Sequence, residues 1–583
     1  MILIFDELLG GLLLMFYFSF FFGYRGKEMR NFWIDIHSFR LILSDLNTDL
    51  KWGTGKLVVF LIINPHFRLY CDSKLLFLWK ILGKIMSLNL DTLIRRTEIE
   101  ELKGSLECPV EAVVFDSRRV EPGALFVAVR GSAADGHDYI GKAVEAGAGA
   151  VVCEEFPPVL QKEVTYVRVK DSSLVLGDIA SRFYGEPSKK LKLVGVTGTN
   201  GKTTTATLLY DLFRKLGHKA GLISTVCYRI EDEEMPSTHT TPDAVTLNGM
   251  LREMADKGCE YCFMEVSSHS VVQHRIEGLT FAGGLFTNIT HDHLDYHGSF
   301  AAYIKAKKGF FDALPKGAFA LYNGDDRNGE VMMQNTEASV KSFALKRMAD
   351  YKCKIIESLF GGMLLQIDGT ELWVRFIGEF NAYNLLGVYA AAMELGQDKE
   401  TVLREMSLLH SVAGRFDYMV SKDGVTAIVD YAHTPDALKN VLNTVNAIRN
   451  GNQKLYTVVG CGGNRDKAKR PVMARIAVEK SDFVILTSDN PRFEKPEDIL
   501  NDMEEGLKEC PFAVDNKFVV IPDRAAAIKM AVLLAKGVPG GAASGKHGDI
   551  ILIAGKGHET YQEIEGVRHH FDDKEQVALY FDK

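Results

Sequence analysis

An apolar run that ends in a glycine-rich loop, with a helical pattern opening directly behind it, constrains this chain more than any other feature. Residues 191–205 read Leu-Lys-Leu-Val-Gly-Val-Thr-Gly-Thr-Asn-Gly-Lys-Thr-Thr-Thr. Leu208, Leu209, Leu212, Phe213 and Leu216 then recur at helical spacing, and Gly217 stops the pattern. A strand, a glycine loop and a helix N-terminus together make an anion site, because free backbone N–H groups and the helix dipole point at a phosphate. Gly198, Thr199, Asn200 and Gly201 are expected to cradle the phosphates. Lys202 would reach the β- and γ-phosphates, and the Thr203 hydroxyl would hold Mg²⁺. The spacing departs from the strict phosphate-loop pattern, which needs glycine where Val196 stands. A lone glycine loop also reads as a tight turn, but Lys-Thr with a helix behind it favours nucleotide. ATP is the expected cosubstrate.

A chain of 583 residues predicts roughly three or four domains. Hydrophobic and charged fractions of 46% and 25% are those of a globular protein with full cores. The formal net charge of −8 argues against a general nucleic-acid binder. Nine cysteines are scattered, and the one close pair, Cys259 and Cys262, sits in an apolar stretch without the second pair that a zinc or redox site needs. Buried free thiols in a reducing cytoplasm are expected. Residues 1–85 differ from the rest: Leu8 to Tyr24 is nearly unbroken apolar sequence, followed by Arg25, Lys27 and Arg30. That run is at the short edge of a membrane span and lacks the basic start and cleavage site of a signal peptide. It reads either as an anchor with a cytoplasmic basic flank or as sequence upstream of a working protein that begins at Met86. The ordinary composition beyond Met86 favours the second reading, so no stable membrane association is expected.

From 86 to 190, short β-type runs such as 112–115 and 124–129 alternate with small-residue helical stretches and with polar loops at 116–119 and 131–137, the kind that carry ligands. From 191 to 413 strands and helices alternate, which predicts a parallel sheet wound by helices. A third unit, 414–583, has apolar runs at 427–429, 456–459, 483–487 and 550–554, each followed by glycine or polar loops where ligands collect in an open parallel sheet. Glu265 follows an apolar strand in the position of an acidic magnesium ligand, against the plain reading of a solvated strand end. The segment 287–298 gathers His291, Asp292, His293, Asp295 and His297. Hard oxygen ligands with an occasional imidazole suit Mg²⁺ beside phosphates better than zinc. Lys305, Lys307 and Lys308 lie on a helical pattern and by themselves read as a solvated face.

Thr197–Thr203, Glu265–His269, 288–298, Gly378-Glu-Phe-Asn381, Asp430-Tyr-Ala-His-Thr-Pro435, Gly460-Cys-Gly-Gly-Asn-Arg-Asp-Lys467, Asp489-Asn-Pro-Arg492 and Gly555-Lys-Gly-His-Glu559 occur in that order. Together they resemble the Mur ligase family, which builds the peptide stem of bacterial peptidoglycan. The resemblance implies an α/β chain of three-domain Mur ligase architecture. A UDP-substrate domain (86–190) precedes a central P-loop parallel-sheet ATPase domain (191–413), and a Rossmann-like α/β domain (414–583) takes the amino acid. It implies ATP-dependent addition of meso-2,6-diaminopimelate to the D-glutamate of UDP-N-acetylmuramoyl-L-alanyl-D-glutamate, with Mg²⁺, in a cytoplasmic monomer. Phe115, Ser117, Ser132, Ala133 and Ala134 would line the uridine-diphosphate pocket. His239, Thr240, Thr241, Ser267, Gln273 and Arg275 would hold the sugar and peptide. Lys202, Glu265, His293 and Lys307 would be the catalytic set. Thr203, Glu265, His293 and Lys307, the last as N6-carboxylysine, would arrange magnesium. Asn381, Arg415 and Asp430 would surround the nucleotide. Arg465, Asp489, Asn490, Pro491, Arg492, Gly555 and Glu559 would bind diaminopimelate.

The chemistry suits these expectations. Making an amide from a carboxylate in water needs the oxygen turned into a leaving group, and phosphorylation by ATP does that. The acyl phosphate must be kept from water, which calls for domains that close. Diaminopimelate differs from lysine by a second carboxylate, which a guanidinium such as Arg492 answers bidentately. A lysine-adding or other Mur-type ligase is the alternative within the class. An ATPase tethered by residues 8–24 is the alternative outside it.

Overall fold

The computed structural model describes residues 88–131, 134–508, 510–513, 517–537 and 548–581, together with two short strands, Ile2–Phe5 and Leu14–Tyr17, that pair antiparallel. The chain divides into two units, Met1–Met86 and Ser87–Lys583. The expected start at Met86 and most of the apolar run 8–24 lie outside the described residues, as do Ser132 and Ala133. No helix among the described residues is long and apolar enough to cross a membrane.

Three sheets organise Ser87–Lys583. In the first, Ala112–Val114, Ala124–Val127, Ala150–Cys153 and Thr165–Val169 run parallel, and Ile99–Lys103 joins antiparallel at the edge. Alternation decides which helix covers which face. Leu125, Val127 and Val152 pack on helix Ser172–Phe183, whereas Phe126, Ala128 and Val151 pack on Ile140–Glu145.

The central sheet has eleven strands. Lys192–Thr197 sits in its middle, parallel to Tyr261–Glu265 on one side and Gly283–Phe286 on the other. Helix Lys202–Lys215 carries Leu208, Leu209, Leu212 and Phe213 at the predicted spacing, all fully buried against that sheet. Each such side chain is worth about 1.5–3 kcal/mol when withdrawn from water, which fixes the glycine loop at the strand's end. Both edges depart from the expected parallel pattern. Cys227–Ile230 pairs antiparallel with Glu233–Pro236, and Tyr351–Leu359, Gly362–Ile367 and Thr370–Val374 form an antiparallel meander. The connections are the two-residue turns 231–232, 360–361 and 368–369, too short for a crossover helix.

The third sheet orders Asp417–Val420, Thr426–Asp430, Ile550–Ala554, Leu455–Val459, Phe483–Leu486 and Phe518–Val520, parallel except for the first. Helices Pro435–Ile448 and Lys469–Lys480 cover one face, and Arg524–Lys536 and Asp573–Phe581 the other. In register, Asp430 and Val459 both lie opposite Ala554, and Val459 lies opposite Leu486. Four loops therefore open at one carboxyl edge. Cys259 and Cys262 are buried free thiols that burial makes harder to ionise.

Candidate active site

The glycine loop is held from beneath by the segment after Gly283–Phe286. Thr199 N donates to Asn288 O (2.8 Å), Asn200 N donates to Asn288 Oδ1 (3.0 Å), and Thr287 Oγ1 donates to Asn200 O (2.6 Å). The approach is so close that a Cβ on Gly198, whose φ is +152°, would stand 1.9 Å from Thr287 Oγ1. Only glycine fits such a backbone and such a gap, and this cradle suits phosphate. Lys202 turns back so that Nζ donates to Gly198 O (2.9 Å) and Thr199 O (2.8 Å).

Strand pairing sets Glu265 opposite Val196, so its carboxylate ends beside the loop. Glu265 is fully buried: Oε1 accepts from Thr225 N (2.7 Å), and Oε2 has no hydrogen-bond partner. Such an oxygen is costly unless a ligand takes it. Among the described residues no three His, Cys, Asp or Glu side chains form a ready-made metal cage. That donor chemistry fits Mg²⁺, which uses one or two protein oxygens and completes its shell with phosphate and water. Glu265 and the Thr203 hydroxyl are the donors at hand.

Lys307 leaves helix Phe300–Asp312 on its buried face, against the plain reading of a solvated lysine run. Its Nζ donates to Gly198 O at 2.7 Å and lies 4.8 Å from the Tyr303 ring centre. Burial, with Lys202 nearby, holds its amine well below the usual lysine range. His293, at φ +52°, is exposed, with Nε2 3.5 Å from Asp292 Oδ2 and its ring 4.9 Å from that of His269.

The C-terminal sheet reaches the same loop. Arg415 Nη2 donates to Thr203 Oγ1 (3.2 Å), and Asn200 Nδ2 donates to Asp436 Oδ2 (3.1 Å). Asp430 accepts from Phe416 N at 2.6 Å, and burial pushes its carboxyl up to about 6. His433 and His558 are held neutral by burial, at about 4 and about 3. Beyond them lie Asp489, Asn490, Arg492, Gly555 and Glu559. Asn490 Nδ2 donates to Glu559 Oε2 (2.7 Å), and Arg492 Nη1 donates to Gly463 O (2.8 Å).

One cavity of about 1730 Å³ joins these groups. Thr199–Thr203, Glu265, His293, Lys307, Arg415, Asp430, Arg465, Asp489, Asn490, Arg492, Gly555 and Glu559 line it, as do Thr240, Thr241, His239, Ser267 and Arg275. Arg275 bonds Thr241 O (2.7 Å) and Gln273 Oε1 (2.6 Å), so Gln273 supports the wall without lining it. Gly198 lies beneath the wall, and Pro491 is not among the lining residues. Asn381 is also absent: its Nδ2 donates to Ile377 O (2.9 Å), and Asn384, one turn on, faces the cavity instead. Phe115, Ser117 and Ala134 belong to the first sheet's loops and do not line this cavity. There Asp116 caps the turn Ser117–Arg119 and grips the Arg118 guanidinium at 2.7 Å. Asn384 and Asp436 line the cavity without a spacing signal, because tertiary packing alone brings them there.

Three family models match the chain: the Mur ligase family, catalytic domain (109–184), the Mur ligase middle domain (196–392) and the Mur ligase, glutamate ligase domain (414–557). A protein of Phocaeicola vulgatus named UDP-N-acetylmuramoyl-L-alanyl-D-glutamate–2,6-diaminopimelate ligase is 56% identical over 494 residues, covering 85% of this chain and 99% of its own. Its namesake in Chlorobaculum tepidum is 43% identical over 81% of this chain and 92% of its own. A solved structure of a ligase of that name superposes with a TM-score of 0.61 at 32% identity, covering 85% of this chain and 99% of its own. Sequence and superposed fold agree: the chain belongs to the Mur ligase family.

Proposed function

We propose that the chain is the ATP-dependent ligase that joins meso-2,6-diaminopimelate to the D-glutamate carboxylate of UDP-N-acetylmuramoyl-L-alanyl-D-glutamate, in peptidoglycan precursor synthesis. One observation carries this reading: a phosphate loop and an Asp-Asn-Pro-Arg loop open into the same cavity. Near-full-length relatives that bear this ligase's name support it.

The glutamate carboxylate oxygen attacks the γ-phosphorus, ADP departs, and an acyl phosphate remains. The diaminopimelate amine then attacks the acyl carbon, a C–N bond forms, phosphate leaves and the amine gives up a proton. Lys202 and the loop N–H groups hold the phosphates in line. Thr203, Glu265, His293 and Lys307, the last carboxylated, would hold Mg²⁺, which supplies positive charge where negative charge develops. Arg415 and Asp430 flank the nucleotide as the C-terminal domain closes over it, keeping water from the acyl phosphate. His239, Thr240, Thr241, Ser267, Gln273 and Arg275 face the sugar and peptide, and Phe115, Ser117, Ser132, Ala133 and Ala134 would take the uridine diphosphate. Arg492 answers the distal carboxylate, and Asp489 and Glu559 answer an ammonium. The domain limits follow at 86–190, 191–413 and 414–583, and the protein works as a cytoplasmic monomer.

A substrate-omission assay tests this reading. ADP and phosphate should appear only when ATP, the nucleotide dipeptide and diaminopimelate are all present. Turnover with L-lysine equal to that with diaminopimelate would remove the assigned specificity. Hydrolysis without either ligase substrate would remove the ligase.

A further inference from the structure

Lys556, in the Gly-Lys-Gly-His-Glu loop, is wholly withdrawn from solvent, yet it does not line the cavity. Its Nζ donates to Asn490 Oδ1 at 3.0 Å and lies 3.4 Å from Glu559 Oε2 and 3.7 Å from Asp489 Oδ1. Asn490 closes the link by donating Nδ2 to Glu559 Oε2 (2.7 Å), and its Oδ1 also accepts from Glu563 N (2.9 Å). One buried cation thus faces two carboxylates from loops that leave different strands, Phe483–Leu486 and Ile550–Ala554. Asp489 Oδ1 is buried and has no hydrogen-bond partner, although Asp489 lines the cavity. A buried ammonium is tolerated only when paired, and this pairing spans the two loops assigned above to the amino acid.

We propose that Lys556 is a positioning residue of the amino-acid subsite. It locks the two loops in register and sets Asp489 and Glu559 side by side, leaving Asp489 Oδ1 to receive an ammonium of the incoming amino acid. The proposal rests on the ligase reading. Without the lysine cation the two carboxylates repel, and one of them takes a proton. Glu559 already stands above the usual carboxylate range through burial first and Asp489 second, while Lys556 and Asn490 pull it back. Glu559 also acts on the Arg524 cation and on the phenols of Tyr431 and Tyr561, which it helps to push up and which stay neutral where it titrates.

The test uses the full chain carrying Lys556→Met. The KM for diaminopimelate should rise roughly tenfold or more, while the KM values for ATP and the nucleotide dipeptide stay within about twofold. The acid limb of kcat/KM for diaminopimelate should move to higher pH, because Glu559 then protonates sooner. Lys556→Arg, which keeps the charge, should leave that limb in place. An unmoved KM and limb in the Met variant overturn the proposal. So does an equal loss of ATP affinity, which marks a merely structural lysine, or a limb that shifts as far in the Arg variant. Should the Met variant not fold, Lys556→Gln, which keeps a donor to Asn490 and drops the charge, carries the same readouts. Failure of the ligase reading is distinguishable, since the unaltered chain would then release no ADP in response to diaminopimelate.

Discussion

Lys307 shows how far one residue's chemistry can depend on burial. Only a neutral amine adds to carbon dioxide, and a buried Lys307 beside Lys202 is held well below the ordinary lysine range. Enzyme freed of carbon dioxide should lose turnover and regain it on adding bicarbonate. Lys307→Gln should be slower by at least about a hundredfold and indifferent to bicarbonate; a bicarbonate response in that variant would reject the assignment. Asp430 titrates in the opposite sense. Its carboxyl is raised from 3.8 to about 6, burial being the largest cause and Arg415 opposing it. An acid raised in the folded state holds its proton more tightly there, so its effect on stability is absent below pH 3.8 and grows as pH rises toward 6. Above that it costs roughly 2–3 kcal/mol. Asp430→Asn keeps an acceptor for Phe416 N and cannot ionise. Denaturant unfolding should show the variant gaining about 2–3 kcal/mol on the parent between pH 4 and pH 8; a difference flat with pH rejects the argument. Lys202, Thr203 and Glu265 are legible in the sequence because a loop and the end of a strand announce them locally. Lys307 is not legible from its own neighbourhood, since a lysine run looks the same whether its face is wet or dry.

Among the elements, the strands that carry the site follow from apolar runs bounded by glycine. The runs expected at 427–429, 456–459, 483–487 and 550–554 appear as Thr426–Asp430, Leu455–Val459, Phe483–Leu486 and Ile550–Ala554. The antiparallel edges of the central sheet were not legible, because alternation of strands and helices carries no information about which short turns replace a crossover. Asn381 escapes for a related reason. The helix Glu379–Glu394 is buried on most of its surface, so periodicity cannot say which asparagine faces the cavity. The turn at Gly414 is a stricter element. Its φ is +65°, and a Cβ there would stand 2.1 Å from His558 N, in the loop that carries Lys556 and Glu559. Gly414→Ala therefore strains its own backbone and displaces that loop. Unfolding measurements should show a loss of about 2 kcal/mol or more, together with a raised KM for diaminopimelate. Unchanged stability would mean that the loop yields freely.

At the scale of the molecule, the central and C-terminal sheets meet at the glycine loop through few polar contacts, chiefly Arg415 on Thr203 and Asn200 on Asp436. Arg415 also stacks 4.4 Å from the Tyr431 ring centre, and its Nε is buried without a hydrogen-bond partner. A guanidinium held by one hydroxyl and one ring, with an unsatisfied donor, has more to gain from an anion than from its protein neighbours. Nucleotide should therefore tie the two sheets together through Arg415 and stabilise the whole chain by mass action, by about 2.7 kcal/mol at a hundredfold excess over Kd. Arg415→Met removes the charge and keeps much of the side chain's bulk, so without nucleotide the melting temperature should fall only by what Asp430 loses with the cation that opposes its burial. If Arg415 contributes a tenfold share of affinity, the nucleotide-dependent stabilisation at the same concentration should fall by about 1.4 kcal/mol. Turnover should fall further than binding, because the closed arrangement that excludes water from the acyl phosphate is then rarely reached. A nucleotide-induced shift identical to that of the parent would place Arg415 outside the coupling between the two sheets.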